Sequence, residues 1–128
     1  MTSIELQLRL KRFALRTVKV TESQPGNKLS RIIEDQLLRS AFSAAANYRA
    51  ACKAISRKSF ISKLSIAFEE SDESLYWLEV IVDVDLISNE KMIPIIKEAT
   101  ELASILAASR KSAQAKKRPL SEILTIQS

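Results

Sequence analysis

Five carboxylates close together, Glu69, Glu70, Asp72, Glu73 and Glu79, are the residues whose types and spacing first suggest chemistry. Helical bundles can hold two iron ions through such groups. Those sites combine glutamates with Glu-x-x-His pairs on facing helices, and this chain of 128 residues has no His. The other helical segments also lack inward Glu at matching places. A solvated acidic face, or pairing of Glu70 and Glu73 with arginines, accounts for the cluster better than a metal does. Nucleophiles fare no better. The serines have no recognisable base and no nucleophile-elbow glycine motif. Cys52, beside Lys53 on a helix flank, reads as an inert, partly buried thiol. With 1 Gly in the chain there is no phosphate loop or dinucleotide fingerprint. The expectation is a protein without catalytic residues, metal or cofactor.

Binding chemistry is better represented. Residues 1–64 hold 13 Lys/Arg against 4 Asp/Glu, whereas residues 65–128 hold 7 against 11, so a net +5 conceals a basic and an acidic half. A basic half can address nucleic acid; it can equally lie against acidic helices of the same assembly. Within it, Arg31, Asp35, Leu38, Arg39, Phe42, Arg49 and Lys53 share one helical face. Arginines around an exposed ring suit phosphate contact with base stacking. The same residues would also suit a subunit interface in which Phe42 is buried and arginines meet Glu70 and Glu73.

These side chains must be carried by helices, because turn formers are scarce. The spacing predicts a first helix from about Ser3 to Glu22, stopped by Ser23-Gln24-Pro25-Gly26-Asn27. Leu6, Leu10, Phe13, Ala14 and Thr17 form its inner stripe, with Arg12, Arg16 and Lys19 on the other side. A second helix runs from about Lys28 to Ala54, with Leu29, Ile33, Leu37, Ser40, Ala44, Asn47, Tyr48 and Ala51 inward. A buried Asn47 there would fix register. Ser56 is the expected N-cap of a third helix. Asp85-Leu86-Ile87-Ser88-Asn89 leads into a fourth, ending near Ser112, with Met92, Ile95, Ile96, Ala99, Leu102, Ala103 and Leu106 inward. Pro94 is tolerable in its first turn and would bend the helix if the true start lies earlier.

The third helix carries two stripes. At about 100° per residue, Phe60, Ile61, Leu64, Ala67, Phe68, Ser71, Leu75, Leu78 and Val82 fall together. Ile66, Trp77, Val80, Ile81 and Val84 fall near the opposite side, with Glu70 and Glu73 among them. One stripe serves the chain's own core; the other calls for a second covering surface, most simply another subunit.

The order of these segments resembles a known family. Arg31-Ile32-Ile33 to Gln36-Leu37-Leu38-Arg39-Ser40, then Ala45-Ala46-Asn47-Tyr48-Arg49-Ala50-Ala51, is similar to its second helix. Phe60-Ile61-Ser62-Lys63-Leu64, then Glu69-Glu70-Ser71-Asp72-Glu73-Ser74-Leu75-Tyr76-Trp77-Leu78-Glu79, is similar to its third. The family is that of the four-helix-bundle proteins first met as reading frames in bacterial ribosomal-RNA intervening sequences. Similarity extends from about Leu8 to Lys111. Ser71 and Ser74 depart from Ala and Thr, and Ser43-Ala44-Ala45 replaces a Gly-containing run. The resemblance implies an up-down bundle assembling as a ring, commonly a pentamer. It extends to the accessory protein of diversity-generating retroelements, which is basic and binds a reverse transcriptase and RNA. It implies no enzymatic activity.

The expected fold is therefore all-α, an antiparallel up-down-up-down four-helix bundle over residues 1–114 with a basic and apolar tail over 115–128. In that tail Lys116, Lys117 and Arg118 precede Leu120, Ile123, Leu124 and Ile126. Arg12, Arg16, Lys19, Arg31, Arg49 and Lys53 are the expected phosphate contacts. Arg39, Phe42, Ile66, Glu70, Glu73, Trp77, Val80 and Val84 are the expected subunit contacts. The expected partners are further copies of the chain, then RNA or DNA or a reverse transcriptase, in the cytoplasm; a purely structural homo-oligomer is the competing reading.

Overall fold

The computed structural model describes residues 1–115, and the expected tail contacts of Lys116 to Ser128 lie outside them. Four helices account for nearly all of the described chain: α1 (Ser3–Glu22), α2 (Lys28–Cys52), α3 (Arg57–Asp83) and α4 (Asn89–Ala115). No helix of the described residues is long and apolar enough to cross a membrane.

Local chemistry sets the boundaries. Thr2 caps α1 reciprocally with Glu5: the Glu5 N–H donates to Thr2 Oγ1 at 3.1 Å and the Thr2 N–H to Glu5 Oε2 at 3.2 Å. Asn27 caps α2 by accepting from the Ser30 N–H at 2.9 Å. Ser56 caps α3 as its position predicts, accepting from the Ser59 N–H at 3.1 Å. Gly26 supplies the positive φ of 75° that the α1–α2 turn requires.

The α3–α4 turn uses a less suitable residue. Asp85 takes φ 59°, the Leu86 N–H reaches back to the Ile81 carbonyl at 3.0 Å, and the Asp85 N–H to Val82 at 3.1 Å. This is a Schellman ending whose left-handed position ordinarily holds glycine. Asp85→Gly is expected to raise unfolding stability by about 1 kcal/mol, read from urea denaturation. An unchanged midpoint would mean the Asp85 side chain compensates.

Packing joins α2 to α3 most extensively, then α3 to α4 and α1 to α2, with a smaller contact between α1 and α4. All five inner residues assigned to α1 are buried. Small residues let α2 and α3 approach: Ser40 and Ser74 are fully buried, their Oγ atoms 3.1 Å apart. Ser74 Oγ also lies 2.9 Å from the Glu70 carbonyl, and Ser40 Oγ 2.8 Å from that of Gln36. At Ser74, one of the departures from the family pattern, the hydroxyl thus contributes a buried cross-helix contact.

Three stripe assignments, two inner and one outer, need correction. Asn47 is only half-buried and donates to the Ser43 carbonyl at 2.9 Å, so it bonds its own helix and fixes no register. Leu29 is exposed, and Ser30 takes the inward position beside the cap. Ile81, assigned to the outer stripe of α3, is fully buried. The last follows from position: α3 packs on both α2 and α4, so its buried arc is wider than one neighbour would make it. α4 starts at Asn89, which puts Pro94 in the second turn, where it leaves the Glu90 carbonyl without its helical donor.

Candidate nucleic-acid interface

A groove of about 560 Å³ runs between α1 and α2, lined by Gln7, Leu8, Lys11, Phe42, Ala45, Ala46, Arg49 and Lys53. Its α2 wall follows from helical spacing, since positions 42, 45, 46, 49 and 53 recur on one face. Burial of Leu6, Leu10 and Phe13 turns Gln7 and Lys11, four residues apart, onto the flank of α1 that meets α2. Ala45 and Ala46 are short, so a recess opens between Phe42 and Arg49. Phe42 is 40% exposed and Leu8 46%. The lining among the described residues holds three cations and no carboxylate. Among the described residues no ion pair engages Lys11, Arg49 or Lys53.

Behind this wall sits Tyr48, fully buried. Burial pushes its phenol well above the usual range, and the neighbouring Cys52 thiol adds to the shift. Burial also raises the Cys52 thiol, partly offset by hydrogen bonds with Tyr48 and Gln7. A thiol held in its protonated form is a poor nucleophile. The Tyr48–Cys52–Gln7 group supports the groove wall.

The six expected phosphate contacts do not form one patch. Arg49 and Lys53 line the groove. Arg12, Arg16 and Lys19 are exposed on α1 outside the groove lining. Arg31 donates to the Gly26 carbonyl at the start of α2, about 27 Å along the helix from Arg49 at 1.5 Å per residue. Lys11, Gln7 and Leu8 were not expected in the site. Lys11 lies between the inner stripe of α1 and its Arg12–Arg16–Lys19 face, on a flank whose role depends on which helix packs beside it.

The model of the 23S rRNA-intervening sequence proteins matches residues 4–108, most of the chain and all the elements that build the groove. The chain belongs to that family. A crystal structure of a protein of unknown function from the S23 ribosomal protein family, from Bacteroides thetaiotaomicron VPI-5482, is similar to it. The two are 32% identical with a TM-score of 0.78, the match covering 87% of this chain and 99% of the other. No curated protein matches.

In this intervening-sequence family member the charge asymmetry is partly answered inside the chain. Arg9 of α1 meets Glu98 and Glu101 of α4 at 2.7 and 2.8 Å. Arg39 of α2 meets Glu70 of α3 at 2.9 Å and bonds Glu73 as well. The arginine partner expected for Glu70 and Glu73 across a subunit boundary is thus found within one chain. Arg39 and Phe42, read as one face, serve different flanks of α2: Arg39 faces α3, and Phe42 lines the groove with α1. Trp77 also has a partner in its own chain, its indole N–H donating to Glu73 Oε2 at 3.0 Å. Trp77 and Val80 pack against the margin of the core, Ile66 is half-buried, and Val84 is 42% exposed.

Burial alone would raise the Glu73 carboxyl; the Trp77 N–H and the Arg39 guanidinium outweigh it and hold the group below its usual range. A depressed carboxylate stabilises the fold above its unfolded pKa of about 4.3 and loses that contribution as pH falls through the folded value. The site is well exposed, so the contribution is below about 1 kcal/mol. Arg39→Gln is expected to flatten the decline of stability between about pH 5 and 3, read by urea denaturation. An unchanged slope would show the pair to be energetically silent.

Proposed function

We propose that this intervening-sequence family protein is a non-enzymatic bundle, with successive helices antiparallel, that assembles as a ring and binds RNA through the α1–α2 groove. The observation that carries the reading is the groove's composition: Lys11, Arg49 and Lys53, with no ion pair or lining carboxylate among the described residues, around a part-exposed Phe42. Polyanions bind such surfaces through released counterions, and rings stack on bases. The expected result is binding to RNA at low salt that weakens steeply as salt rises. No binding at low salt would sink the RNA part of the reading.

The purely structural homo-oligomer has its own support. Ile4 and Leu15 are exposed on α1, and Leu29, Ile32 and Val84 on α2 and at the end of α3. Two unlike apolar faces suit head-to-tail contacts, which close into rings, rather than a two-fold dimer. The family resemblance supports a pentamer. Light scattering at micromolar concentration should give several times the monomer mass of 14.3 kDa; a monomer overturns the ring. A ring that binds no RNA leaves the structural reading in place.

A further inference from the structure

We infer that the α1–α2 groove is a site for single-stranded RNA, in which one unpaired base stacks on Phe42 while Lys11, Arg49 and Lys53 hold the adjoining phosphates. This rests on the RNA reading above and narrows it. The recess of about 560 Å³ falls within the size of pockets that enclose small ligands. A flat patch of cations would hold any duplex by its backbone. Here the cations surround a recess with an aromatic side chain in its wall, and a paired base cannot present its face to that ring, because its neighbours in the stack already cover it. Ala45 and Ala46 leave room beside the ring, Leu8 adds apolar surface from α1, and the Gln7 amide brings a donor and an acceptor to the recess. With no carboxylate among the described lining residues, the charge favours a polyanion over an acidic-and-basic protein surface.

The test uses the full chain and fluorescence anisotropy with two labelled probes: a single-stranded oligouridine of about twelve nucleotides, within the usual range of single-strand sites, and an RNA duplex of equal length. Phe42→Leu keeps apolar volume and removes the ring. The expected result is tighter binding of the single strand, weakened about tenfold by Phe42→Leu, with duplex binding unmoved. Phe42→Trp should retain or improve single-strand binding. If both probes bind equally and Phe42→Leu changes neither, the single-strand site is refuted while RNA binding stands. If neither probe binds at low salt, both readings fall. If Phe42→Leu lowers the particle mass in the absence of RNA, a second copy of the chain covers the groove and the inference is overturned. Phe42 is outside the buried core, so a melting curve near that of the parent is expected and keeps these outcomes readable.

Discussion

Reversing Lys11, Arg49 and Lys53 together to Glu is expected to weaken RNA binding by more than about 100-fold at low salt and to reduce the salt slope by about two to three. The slope is the sharper measurement, because each phosphate contact contributes roughly 0.7 to 0.9 of a unit to it. Among the described residues none of the three side chains is held in an ion pair, so the change breaks no bridge there. The parallel change of Arg12, Arg16 and Lys19 to Glu alters charge by the same amount on α1 outside the groove lining. It leaves Lys11, Arg49 and Lys53 in place to meet the phosphates, so its effect should be weaker. Were the α1 triple to cause the larger loss, the interface would belong there and the groove would be incidental.

Tyr48→Ala is expected to cost about 3 to 5 kcal/mol, with a fall in melting temperature of about 10 °C or more. Tyr48 heads the fully buried side chains by size, so its truncation leaves a large cavity in the core. Total stability for a domain of this size is about 5 to 15 kcal/mol, so the loss is a large share of the whole. Tyr48→Phe keeps the ring and removes only the hydroxyl, for a cost of about 1 kcal/mol. It should leave RNA affinity unchanged, because the groove wall survives. Thermal melts of the two variants separate the contribution of the ring from that of the hydroxyl group. A near-parental melt for Tyr48→Ala would mean that Tyr48 is not a core residue.

Much of the fold was legible because helical burial is periodic and local. The inner stripe of α1 and the Ser56 cap appear where spacing and residue type put them. The errors fall where a residue sits at the edge of a stripe. Asn47 and Leu29 lie about 40° around the helix from the buried Ala51 and Ile33, four residues on, and a rotation of a few tens of degrees decides between core and flank. Ile81 is buried because α3 has two neighbours. The site was less legible. Arg49, Lys53 and Phe42 were identifiable as basic and aromatic residues on one face of α2, while Lys11, Gln7 and Leu8 belong to another helix and share no local pattern with them.

The sequence by itself determined that this chain is helical, which residues of α1 face inward, how the charge divides between its halves, and the family that its second and third helices resemble. Only the tertiary structure decided which flank of each helix meets which neighbour. It sent Arg39 to Glu70 and Glu73 within the chain, left Phe42 beside Lys11, Arg49 and Lys53, and gave Trp77 a partner in Glu73. The physical reason is that a helix's own repeat sets which residues lie together on its surface. The direction each face looks in is set by side chains far away in the sequence, and no local spacing encodes them.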